Sequence, residues 1–250
     1  MKLFAPQNIF TSILESALPE WMEIIHKPAS LVVKELEKNT QALALIPSLE
    51  LINHKELLVS NKFGISFDGM LSNAYYYFSE GERIIKKILV RGDVSVNEVI
   101  LAKILFEERY SSDVELVLDS SDKMESGTDY IVSGDYNYTS SRYERAISLA
   151  DEVSEMLDFP YVNFILVSKD RESVTNFEKQ IDSLDEIIEE KLSVNIEMLN
   201  IPQGSKDFIK ENFSSVYFDL TENEKDGLNE LIKLVYYRGI IEDMFDIKFV

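Results

Sequence analysis

The chain has 250 residues, 45% of them hydrophobic, enough for one large domain or two smaller lobes with a real core and too apolar for disorder. Its 25 basic against 45 acidic residues give a formal charge of −20, a field that repels nucleic acid and anionic lipid and argues against both as partners. There is no Cys, which excludes disulfides, thiolate nucleophiles and thiolate metal sites. The two histidines, His26 and His54, are too few and too far apart to suggest a histidine-rich metal site or a Ser-His-Asp triad.

No run reaches the roughly 18 apolar residues of a membrane span. Pro6, Gln7 and Asn8 interrupt any signal-peptide core, so the expected location is cytoplasmic. In chain order, a strand is expected over 2–5, a helix over 10–18, a strand over 22–25 and a helix over 29–38. The run ALALI at 42–46 suits a strand covered on both faces, closed by Pro47-Ser48 and a short helix or turn over 49–53. Strands follow at 63–67 and, from the aromatic run AYYYF, at 74–78. Residues 82–87 lead into the next strand. Further strands are expected at 114–118, 130–132, 161–168 and 216–220, and helices over 143–157, 172–192, 204–213 and 221–237. Gly239 can end the last of these.

The most informative stretch is 88–110. Ile88, Leu89 and Val90 end a strand, Arg91-Gly92-Asp93 breaks it, and Ser95 with Glu98 spells a capping box before a helix with a wide apolar face. Such a loop lies at the carboxyl end of a strand, where open α/β sheets bind ligands, and its helix start offers N–H groups to an anion. Ser95 can equally do no more than cap its helix.

Strands and helices alternate nearly throughout, which predicts an α/β architecture with mainly parallel sheets. The segments 74–78 and 161–168 read as crossings between two lobes, the first lobe taking 1–78 and 168–250 and the second 79–167.

Several blocks, in order, carry a family likeness: ALALIPSLEL at 42–51, ISFDG at 65–69 followed by Phe78-Ser79, the capped helix from Ser95, DYIVSGD at 129–135 with 149–164, and 217–241 with Glu224, Gly227-Leu228 and Gly239-Ile240. Together they resemble the menaquinone-pathway chorismate dehydratase family. The resemblance implies a two-lobed type II periplasmic-binding-protein-like fold with a ligand cleft between lobes. It also implies a cytoplasmic lyase that removes water from chorismate to give 3-[(1-carboxyvinyl)oxy]benzoate, without metal or organic cofactor. The family's loop Asn falls at Asn8, and its cleft Ser falls near Ser72 or Asn73. Ser95 and Asn97 match positions where the family has hydroxyl side chains. The chain departs from the family at Ala5-Pro6-Gln7 and at Gly69-Met70-Leu71.

On this reading Asn8 with Ser72 or Asn73 contacts the reacting ring, while Ser48, Ser95 and Asn97 hold carboxylate. Arg91, directly after its strand, can pair with a substrate carboxylate or with Asp93 or Glu98. Gly134-Asp135 is a plain turn or part of the cleft mouth. The partner is thus a small anionic molecule, chorismate or a similar carboxylate, and pairing into a homodimer is left open. The alternative is a non-catalytic small-molecule binding protein of the same fold with an altered cleft. A sibling naphthoate-forming enzyme relies on a catalytic His, and neither His26 nor His54 falls at a mid-chain cleft position.

Overall fold

A computed structural model describes residues 1–81, 84–121, 123–140 and 142–250. The expected lead-in over 82–87 therefore lies partly outside the described residues, at Glu82 and Arg83.

Two mixed sheets organise the chain. The first has the order β11-β4-β10-β3-β1-β2, and the second β7-β6-β8-β5-β9. In the first, β1 (Lys2–Ala5) runs parallel to β2 (Glu23–His26) and β3 (Leu43–Pro47). Every residue of β3 is buried, as a continuous apolar run between two neighbours requires. β10 (Tyr161–Ser168), also wholly buried, lies antiparallel between β3 and β4 (Leu58–Phe67), and β11 (Val216–Asp219) pairs antiparallel with β4. In the second sheet β6 (Lys87–Gly92) runs parallel to β7 (Glu115–Leu118) and β8 (Tyr130–Ser133). β5 (Ala74–Tyr77) pairs antiparallel with β8 and with β9 (Ile147–Ser148). The expectation of mainly parallel sheets is corrected accordingly. Strands that return from the other half of the chain enter in the opposite sense.

The two expected crossings are corrected as well. β5 belongs wholly to the second sheet and β10 wholly to the first. The chain instead passes between the sheets through 68–73 and through α5 (Leu149–Leu157) with the turn that follows. Asp158 takes a left-handed backbone (φ 59°) and Pro160 precedes β10, so the return is a sharp helix stop rather than a strand. Helix α5 packs on β5 and β9 on one side and on β10 and α9 (Glu222–Tyr237) on the other, so one apolar core runs through both halves.

The helices α1 (Ile9–Ala17) and α2 (Ala29–Lys38) leave the carboxyl ends of β1 and β2, and a 3₁₀ turn, Ser48–Ile52, leaves β3. In the second half, α3 (Val96–Tyr110) follows β6 and the short α4 (Tyr136–Thr139) follows β8. These junctions of the two halves face each other. The expected helix over 143–157 is replaced by a 3₁₀ turn, β9 and α5, because Tyr75 and Tyr76 recruit Ser148 and Ile147 into the sheet. The expected helix over 172–192 breaks into α6 (Arg171–Glu178) and α7 (Leu184–Met198). Ser183 accepts the Glu186 N–H as an N-cap and Asp219 accepts the Leu184 N–H, which together start a new helix. Helix α8 (Gln203–Asn212) then leads to β11.

Candidate functional site

The junctions of the first half each present a backbone N–H toward the second half. None of the three stands bare. The Ile9 N–H donates to Asp135 Oδ1 at 2.7 Å. The Ala29 N–H donates to the Asp93 carboxylate, 2.9 Å from Oδ1 and 3.1 Å from Oδ2. The Leu49 N–H donates to Asn97 Oδ1 at 2.9 Å. Two of these amides open α1 and α2, where the aligned peptide dipoles favour negative charge. The protein thus fills these seats with its own side chains.

Asp93 and Asp135 arise in the same way. Gly92 ends β6 with Asp93 next, Gly134-Asp135 follows β8, and both glycines have a left-handed backbone, φ 93° and 91°. At Gly92 a Cβ would fall 1.9 Å from the Ser133 carbonyl oxygen, so only glycine lets the two loops lie together. Burial pushes both carboxyl groups above the ordinary range. The Ala29 and Ile9 N–H bonds work against that shift, and for Asp135 the nearby Asp93 adds to it.

Asn97 is the hinge pin of the polar seam. It is fully buried on α3, and besides accepting from Leu49 it shares its two Nδ2 hydrogens among three acceptors. These are the Asn163 carbonyl at 2.8 Å, Tyr161 Oη at 2.9 Å and, more weakly, Ser48 Oγ at 3.3 Å. Ser48 is the first residue of its 3₁₀ turn, whose N-cap position is Pro47. Of the expected carboxylate holders, Ser48 and Asn97 therefore meet, but in each other's company.

The capping box at Ser95 forms as read: Glu98 Oε2 accepts from the Ser95 N–H and Oγ–H at 2.7 and 2.6 Å. That corrects the expectation of an external anion at the start of α3, since the Glu98 carboxylate already lies there. Burial raises the Glu98 carboxyl, against the bonds from Ser95.

Asn8 caps α1, accepting the Thr11 N–H at 2.9 Å while Thr11 Oγ1 accepts the Asn8 N–H. Ser72 is fully buried in the second half. Its Oγ donates to the Ala74 carbonyl and accepts from the N–H groups of Ala74 and Ala150. Asn73 donates to Ser133 Oγ at 3.1 Å, and its Oδ1, though buried, has no hydrogen-bond partner. Of the three residues expected to contact a reacting ring, Asn8 and Ser72 thus serve the fold, and Asn73 does so through its Nδ2 alone. Arg91 pairs with Asp119 at 3.1 Å and lies over the Tyr136 ring, not with Asp93 or Glu98. Among the described residues no group of three or more His, Asp or Glu side chains is placed to hold a metal ion.

Sequence reasoning missed the role of Asp93, and of Tyr161 and Asn163 on β10. The repeated Gly-Asp after two strands was the available signal for the first. Nothing in an apolar strand pattern singles out Asn163, whose side-chain amide is buried with neither end bonded.

Beside this seam a groove of 390 Å³ runs along one face of α1, from Ile9 and Asp135 to the end of α7. No helix among the described residues is long and apolar enough to cross a membrane.

No family model and no curated protein matches the sequence. Solved structures do. Protein AF1704 from Archaeoglobus fulgidus superposes with a TM-score of 0.60 at 16% identity, over 96% of this chain and 98% of its own. The Candida albicans CA3427 gene product, described as having the generic periplasmic binding protein fold, gives a TM-score of 0.64 at 13% identity, over 98% and 92%. The alkanesulfonate-binding protein SsuA from Xanthomonas axonopodis pv. citri, bound to MOPS, gives 0.64 at 11%, over 97% and 94%. The chain therefore has a periplasmic-binding-protein-like α/β fold, as the sequence blocks implied.

Proposed function

We propose that this chain is a small-molecule-binding protein without catalytic chemistry, its ligand held beside the seam where the two sheets' strand ends meet. One observation carries the reading. Asn8 and Ser72, at positions expected to work on a reacting ring, cap a helix and bond the backbone, and Asn73 gives its amide N–H to Ser133, while a groove between the halves stays open. At 390 Å³ that groove is within the range of small-molecule sites. Support from elsewhere is the fold, shared with a sulfonate-binding protein.

The second reading is the hydro-lyase acting on chorismate. The order of the sequence blocks favours it, as does the placing of two carboxylates, Asp93 and Asp135, at two helix starts. Two acid groups of a substrate would take those seats once the side chains withdrew.

Melting the protein against a panel of small acids and amines tests the first reading. It expects at least one compound to raise the midpoint in proportion to the logarithm of its concentration, and a flat response throughout would refute it. Mixing the protein with chorismate and following the diene absorbance tests the second. Turnover would install the lyase in place of the binder.

A further inference from the structure

We propose that the groove along α1 is a site for a primary ammonium compound with an apolar body, its charge received by Asp135. The inference rests on small-molecule binding and names the ligand class.

The argument is one of hydrogen-bond polarity. Ser12 Oγ donates its proton to the Asn8 carbonyl at 3.1 Å, Ser16 Oγ to Ile13 at 2.6 Å and Thr139 Oγ1 to Tyr136 at 3.4 Å. Each hydroxyl that lines the groove thus spends its one donor on its own helix and has only acceptor capacity left, part of which at Ser16 is taken by the Asn195 amide. Asp135 adds a charged acceptor: its Oδ1 takes the Ile9 N–H, which leaves Oδ2 as further acceptor capacity. No Lys, Arg or His lines the groove. The ammonium of Lys191, at its outer end, reaches the Ser16 carbonyl at 3.4 Å.

A site that offers acceptors and one carboxylate fits a ligand that brings donors and positive charge. An ammonium group has three N–H donors and no acceptor, and it would neutralise a carboxylate that burial and Asp93 already make costly to ionise. An external carboxylate would meet the like charge of Asp135, with the side-chain amides of Asn195 and Asn200 as the side-chain donors on the wall. Ile9 and Ile13 on α1 and Leu199 and Ile201 beyond α7 give the wall an apolar stretch that suits a hydrocarbon body, with Asn195 and Asn200 between them.

The test is calorimetric titration of the intact chain at neutral pH with phenethylammonium and with 3-phenylpropionate, probes of similar shape and opposite charge. The expected result is saturable binding of the ammonium and none of the carboxylate. Asp135→Asn keeps an oxygen for the Ile9 N–H and should weaken ammonium binding at least tenfold. Thr139→Val, which leaves the Ile9 bond untouched, should weaken it severalfold. Equal binding of both probes, or an ammonium affinity unchanged in both variants, would overturn the assignment. Should 3-phenylpropionate or chorismate bind while the ammonium does not, the amine class falls and small-molecule binding stands. If all three are silent, both fall.

Discussion

The Ala29 N–H, the first of helix α2, lies within hydrogen-bond reach of both carboxylate oxygens of Asp93, at 2.9 and 3.1 Å. Sixty-four residues separate the two, and the bond ties a helix of one sheet to a loop of the other. It acts as a cap supplied from across the seam. Asp93→Ala should therefore cost about 1 kcal/mol, the usual price of a lost N-cap. Asp93→Asn keeps an acceptor and removes a half-buried charge, so it should be nearly neutral. Urea denaturation of the two variants checks the contrast.

Asn97 should be far less tolerant. Replacing it by Ala leaves the Leu49 N–H and the Tyr161 hydroxyl without their partner in a buried place. Each stranded polar group costs about 1–3 kcal/mol, so a loss of about 3 kcal/mol is expected for Asn97→Ala. Equilibrium unfolding in guanidinium measures it.

Helix α9 depends on a missing side chain. A Cβ at Gly227 would lie 2.4 Å from the Pro160 carbonyl oxygen and 3.1 Å from Phe159 Cβ. Alanine favours helix by about 1 kcal/mol over glycine. Here the clash with backbone should win, and Gly227→Ala is expected to destabilise by about 2 kcal/mol, as overpacking does. A melting midpoint lowered by several degrees would show it.

Asp185 gives a pH prediction. Its carboxyl is held up at about 6, chiefly by burial, with the Phe218 N–H bond working the other way. Between pH 4 and 6 the folded chain keeps a proton that the unfolded chain has lost. This group therefore makes folding less favourable as pH rises through 6 and more favourable as it falls. Asp185→Asn keeps an oxygen for Phe218 and removes the titration. The slope of stability against pH between 4 and 6 should change in the variant by the loss of this contribution, and unfolding curves at several pH values read it directly.

Much of the architecture was legible in the chain. The capping boxes at Ser95 and Thr221 form, α2 spans the expected residues, and β10 matches its apolar run. What periodicity could not show were choices made by distant partners. Ile147 and Ser148 fit a helix by pattern but are claimed by β5, and the break before α7 is set by Asp219 from another strand. The candidate site was legible in part. Asn8, Ser48, Ser95, Asn97 and Asp135 do lie along or near the seam, because strand ends and helix starts gather there in this fold. Their occupants were not legible, since a sequence does not say which oxygen reaches which amide across the molecule.

The binding claim is tested most directly by nuclear magnetic resonance of the ¹⁵N-labelled chain, following the Ile9, Ala29 and Leu49 amides during separate titrations with phenethylammonium and chorismate. The account predicts that at least one of the two compounds moves the Ile9 resonance, with or without the other two, along a saturating curve. All three amides holding still while both compounds reach millimolar concentration would contradict it.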